Sequence, residues 1–77
     1  MENNKKMEMF ENSLKENKKL VVLFNNKEHY YFEPLNNNNF KVNKVLGDFE
    51  ITTFTTTLVN IEIIKNNLNN MKFVNWA

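Results

Sequence analysis

Two short apolar runs, Leu20-Val-Val-Leu-Phe24 and Tyr30-Tyr-Phe32, stand either side of the polar stretch Asn25-Asn-Lys27. β-Branched and aromatic residues in runs of this length, joined by turn formers, specify an antiparallel hairpin of strands 20–24 and 28–33. Pro34 closes it, having no N–H to give to the ladder. A two-residue turn at 25–26 or 26–27, or a four-residue loop over 25–28, gives one parity. Val21, Leu23, Tyr30 and Phe32 then share one face, and Leu20, Val22, Phe24, His29, Tyr31 and Glu33 the other. Both faces are oily, whereas a sheet backed by solvent alternates apolar with polar. Either both faces are buried, by one helix on each or by the sheet folding over itself, or both helices lie on one side and the other side stays open as a patch for a partner. His29 and Glu33 prefer water, so their face is the expected open one.

The rest of the chain supplies the covering elements. Met7, Phe10 and Leu14 recur at helical spacing and predict a helix over 3–17, capped by Asn3 or Asn4. Glu2–Lys6 and Glu11–Lys15 support it as acid-before-base pairs, and Asn17 tolerates the left-handed conformation that ends a helix. Asn36 to Asn39 reads as a loop. Gly47-Asp48 reads as a two-residue turn between strands 40–46 and 49–54. It pairs Leu46 with Phe49 and Lys44 with Ile51, placing Phe40, Val42, Leu46, Phe49 and Ile51 on one face with Lys44 among them. Over 57–70 two patterns compete. Leu58, Ile61, Ile64, Leu68 and Met71 form a helical stripe, while Val59, Ile61 and Ile63 alternate as in a strand. The stripe matches more positions, so a second helix at about 57–70 is expected, then a short strand from Met71 to Trp76. The chain, 1–77, is therefore expected to be a single α+β domain: an N-terminal helix, an antiparallel sheet of two β-hairpins, a second helix and a closing strand.

Composition narrows the chemistry. Asparagine fills 17 of the 77 positions and arginine none, so lysine carries every basic charge. This bias marks an AT-rich coding sequence, and it discounts isolated polar residues as signals. Without cysteine there is neither a disulfide framework nor a Cys/His metal cluster, and no metal or cofactor is expected. A net charge of +1 gives no field of one sign to steer nucleic acid or an anionic membrane. The longest apolar run, Leu20 to Phe24, is far below the roughly 20 residues of a membrane span. The start of the chain lacks the apolar core of a signal peptide, so a cytoplasmic protein is expected.

Catalytic constellations are thin. His29 is the only histidine; Tyr31 and Glu33 share its strand face, and Glu28 points the other way. One glycine cannot build a phosphate loop, and Ser13 lies on a helix. No enzyme is expected. Lys27, Lys41, Lys44 and Lys72 interleave with aromatic rings, Phe73 among them, as in single-stranded nucleic-acid binders, and this is the alternative reading. Near-neutral charge and the lack of arginine, the usual reader of guanine, stand against it.

The expected function is protein binding without catalysis. The expected site is Leu20, Val22, Phe24, His29 and Tyr31, with Trp76 as an aromatic anchor and strand edges as a further route. The partner is another protein or a second copy of the chain. In size, coding bias and lack of a catalytic constellation the chain resembles the short accessory proteins of phages and mobile elements. Inhibitors of host defence such as anti-CRISPR proteins are among them. The likeness covers no motif; it implies stoichiometric occlusion or bridging in a host cytoplasm.

Overall fold

The computed structural model describes residues 1–46, 50–51 and 57–77. Helix α1 (Asn3–Glu16) leads into β1 (Leu20–Phe24), β2 (His29–Pro34) and β3 (Asn39–Leu46). Next come β4 (Glu50–Ile51), β5 (Thr57–Asn60), α2 (Ile61–Lys65), a 3₁₀ turn (Leu68–Asn70) and β6 (Met71–Trp76). The strands form one antiparallel sheet in the order β4-β3-β2-β1-β6, with β5 also paired to β3. This is the expected α+β architecture.

The first hairpin differs from expectation in parity. Leu20 lies opposite Phe32 and Leu23 opposite His29, so even-numbered residues of both strands share a face. The loop is three residues long. The Phe24 N–H donates to the Glu28 carbonyl at 2.9 Å and the Lys27 N–H to the Phe24 carbonyl at 2.9 Å. Lys27 takes the left-handed conformation, φ 69°, that completes a three-residue hairpin loop. Asn25 fixes this loop from outside: its N–H bonds the Asn70 carbonyl and its Nδ2 the Asn69 carbonyl, both at 2.9 Å. A change of one residue in the loop moves every side chain of one strand to the opposite face. The true sets are Leu20, Val22, Phe24, Tyr30, Phe32 and Pro34 on one side, and Val21, Leu23, His29, Tyr31 and Glu33 on the other. Leu20 and Val22, expected in the open patch, are fully buried in the core.

Both helices pack on that first side. Phe10 of α1 is fully buried and meets Phe32 and Phe40 edge-on, with ring centroids 5.3 and 5.6 Å away. Ile64, Leu68, Met71 and Val74 complete the cluster around Leu20, Val22 and Val42. Full burial of each such side chain contributes roughly 1.5–3 kcal/mol. The buried line of α1 is Lys6, Phe10 and Ser13, while Met7 and Leu14 sit at its margin. Lys6 lays its alkyl stem along the core, and its Nζ donates to the Leu68 carbonyl at 2.9 Å and to Asn3 Oδ1 at 3.1 Å. The N-cap position is Glu2 rather than Asn3 or Asn4, and no side chain caps it. Asn3 is committed to Lys6 and to Asn69 Oδ1. Asn17 ends the helix as expected, at φ 55° and ψ 46°.

Later in the chain, Leu46 lies opposite Glu50 and Val45 opposite Ile51, one residue away from the expected pairing. The turn residues Gly47 and Asp48, with Phe49 and the expected strand positions 52–54, lie outside the described residues. The helix expected at about 57–70 is confined to Ile61–Lys65, and the alternation of Val59, Ile61 and Ile63 does not continue as a strand past Asn60. Residues 57–60 form a strand on β3, with Val59 opposite Phe40. The helix begins only at Ile61, where Asn60 Oδ1 accepts the Glu62 N–H at 3.1 Å. Asn60 also donates to Asn39 Oδ1 at 3.0 Å, which pins the strand end to β3. The register sets Leu58 across from Lys41, away from the core, and it is 65% exposed. Of the predicted stripe, Ile64, Leu68 and Met71 are buried.

Candidate functional site

Strand pairing fixes what the other side of the sheet presents. One row across the strands reads Phe73, Leu23, His29, Val45; the next reads Asn75, Val21, Tyr31, Asn43; the third holds Glu33, Lys41 and Leu58. No described helix lies on this side. Val21, Leu23, Tyr31 and Val45 belong neither to the core cluster nor to the apolar side chains packed against it. They are half-buried, and Phe73 at the end of its row is 53% exposed. Leu23, Val21 and Tyr31 lie side by side on this surface, with His29, Asn43, Glu33 and Lys41 beside them.

Sheet edges behave differently. Ala77 donates its N–H to the Lys19 carbonyl at 3.1 Å, so odd-numbered residues at the end of β6 bond toward β1 and even-numbered ones turn their N–H outward. Those outward donors are occupied. The Val74 N–H meets Met1 Sδ at 3.5 Å and the Trp76 N–H meets Asn75 Oδ1 at 2.8 Å. The β6 edge is thereby blunted against strand addition.

The six residues expected to form a binding patch are dispersed. Leu20 and Val22 are core. Phe24 lies on the covered side, half-buried, its ring edge-on to Tyr30 at 5.2 Å. His29 and Tyr31 lie on the open face as expected. Trp76 pairs with Leu20 and so belongs to the covered side, 38% exposed, with Lys18 Nζ 5.9 Å from its ring centre. The apolar residues of this face that the sequence reading did not place in its candidate site are Val21, Leu23, Val45, Leu58 and Phe73. Their signal was present in the alternation of each strand, but it is readable only once the loop length is known.

The lysines of the nucleic-acid alternative are dispersed too. Lys27 is in the hairpin loop, and Lys41 is on the open face opposite Glu33. Lys44 is on the covered side, 3.2 Å from Glu28 Oε2, and Lys72 is exposed in β6. Tyr30 Oη donates to the same Glu28 carboxylate at 2.7 Å. That hydroxyl and then the Lys44 ammonium hold the Glu28 carboxyl below the usual glutamate range, and the carboxylate in turn raises the Tyr30 phenol. His29, Tyr31 and Glu33 share a face, yet four residues of extended chain separate His29 from Glu33 by about 13 Å. Among the described residues no group of three or more His, Cys, Asp or Glu side chains could hold a metal ion. No described helix is long and apolar enough to cross a membrane.

On the covered side a cleft of about 300 Å³ opens among Phe24, Tyr30, Val59, Ile63 and Met71. Thr57 also lines it. Comparison with protein families, with characterised proteins and with solved structures gave no match.

Proposed function

We propose that this chain is a non-catalytic binding module that docks a protein partner on the open face of its sheet. The observation that carries the reading is the asymmetry of the two sides. One receives both helices, while the other sets Phe73, Leu23, Val21 and Tyr31 side by side under no described helix. A contiguous apolar patch rimmed by polar groups on a small domain marks a contact surface. A stoichiometric role, occluding or bridging a partner, suits the accessory proteins that the chain resembles, inhibitors of host defence included. It needs no more chemistry than this face offers.

The nucleic-acid reading draws less support. Its four lysines divide between both faces and a loop, and one of them is committed to Glu28. Single-strand binders gather cations along one groove.

The test is retention of interacting protein from host extract on the immobilised chain, with Phe73→Glu as the matched bait. Phe73 is exposed, so the variant keeps its fold, which circular dichroism checks. Loss of the retained protein with Phe73→Glu is expected. Equal retention by both baits would remove the open face from the mechanism.

A further inference from the structure

We propose that the 3₁₀ turn Leu68–Asn70 is a latch that makes the start of α1 and the loop of the first hairpin open and close together. The inference concerns the motion of the chain and stands whether or not the open face docks a partner.

All three main-chain carbonyls of the turn are taken by residues distant in sequence. The Leu68 carbonyl accepts from Lys6 Nζ, the Asn69 carbonyl from Asn25 Nδ2 and the Asn70 carbonyl from the Asn25 N–H, each at 2.9 Å. The Asn69 side chain accepts too, from Asn3 Nδ2 at 2.7 Å. Asn3 and Lys6 lie in the first turn of α1 and are themselves joined at 3.1 Å. Asn69 therefore bridges two separate elements, holding α1 by its side chain and the hairpin loop by its carbonyl.

The turn is built to move as one piece. The Asn70 N–H closes it on the Asn67 carbonyl at 3.0 Å, and the Met71 N–H bonds the Leu68 carbonyl. The buried Leu68 side chain seats it in the core. Two arrangements follow: Leu68 seated with the four outside bonds made, or Leu68 withdrawn with all four lost. An element with two discrete arrangements, biased from two sites, is the physical basis of coupling between them.

Each side also needs the turn. The Lys6 ammonium is buried, so losing the Leu68 carbonyl leaves it a single acceptor, Asn3 Oδ1. The hairpin loop holds Lys27 in a left-handed conformation that a lysine does not favour, and Asn25 ties that loop down from outside. Lifting the start of α1 should thus loosen the loop, and holding the loop should steady the helix start, by the reciprocity of linked equilibria.

Native-state hydrogen exchange of the full chain, read by NMR at the amides of Asn25, Asn70 and Met71, tests this. In the wild type the three should share one protection factor, lower than that of Val22 in β1, a strand paired on both sides. Lys6→Met keeps the buried stem and removes the donor. It should speed all three amides by one common factor, roughly five- to tenfold. The Leu35 amide, bonded to the Asn39 carbonyl at the connection from β2 to β3, should keep its rate. Asn3→Ala, at an exposed position, should act in the same direction and serves if Lys6→Met does not fold. Unequal protection of the three wild-type amides, or protection equal to that of Val22, overturns the proposal. So does an Asn25 amide whose rate ignores both variants, or a Leu35 amide that speeds with the rest.

Discussion

Leu20 and Leu23 permit a direct test of which side of the hairpin is inside. They are the same residue type, three positions apart on β1 and on opposite faces. Leu20 is fully buried among Val22, Phe32 and Val74, so Leu20→Ala removes its buried methyl groups and leaves a cavity. Such substitutions cost about 2–5 kcal/mol. Leu23 is half-buried on the uncovered face, where truncation leaves no enclosed void. Half of the roughly 1.5–3 kcal/mol for full burial suggests a cost of about 1 kcal/mol. A chain of 77 residues has a total stability of about 4–12 kcal/mol, so the two variants differ by a sizeable share of it. At about 4–8 °C per kcal/mol for a domain of this size, Leu20→Ala should lower the melting temperature by at least ~8 °C and Leu23→Ala by only ~4–8 °C. Thermal and urea unfolding, followed by circular dichroism at low micromolar concentration, give both values. Equal losses, or a larger loss for Leu23→Ala, would refute the assigned parity.

Other expectations follow from single contacts. Lys27→Gly relieves a left-handed lysine and should raise the urea midpoint by an amount equivalent to ~0.5–1 kcal/mol; a lowered midpoint would count against the three-residue loop. Lys6→Ala strips the Leu68 carbonyl of its donor and removes a buried alkyl stem, and should cost about 1–3 kcal/mol in equilibrium unfolding, with no loss indicating that water serves as well. The Glu28 carboxyl is depressed in the folded state, so its stabilisation is complete above the ordinary value of 4.5 and lost as pH falls through the folded value. Tyr30 is raised, so its contribution is complete below 10.0 and lost as pH climbs past that value. Tyr30→Phe should therefore flatten the alkaline limb of melting temperature against pH and weaken the acid limb; superimposable profiles would show that the hydrogen bond carries no such linkage.

The chain discloses its elements more readily than its sides. Helix α1, the first two strands, the closing strand and the Asn17 terminus could all be read, because periodicity and turn chemistry are local. What failed was counting across loops. Asn-Asn suggests a compact turn, yet the left-handed residue here is Lys27, a type with no preference for that conformation. Asn25 is held by Asn69 and Asn70, more than 40 residues away in sequence, so nothing near the turn announces its length. The same one-residue difference separates the expected and observed partners of Leu46. Residues 57–70 failed in another way. The helix forms only over Ile61–Lys65, because pairing with β3 captures Thr57 to Asn60 first and the chain enters a 3₁₀ turn and then β6 after it, as tertiary contacts often override local preference. The candidate patch inherited the parity error: His29 and Tyr31 lie on the uncovered face while Leu20 and Val22 lie in the core, which is what a single flipped strand produces.

The length of the loop at Asn25–Lys27 therefore sets which side of β2 lies under the helices. On β1 both sides are hydrocarbon, whereas the uncovered side of β2 carries His29 and Glu33 beside Tyr31. Removing one residue from that loop would turn β2 over relative to β1 and bring Tyr31 under the helices in place of Phe32. Insertions and deletions there are expected to reshape the outer surface more than any substitution on it.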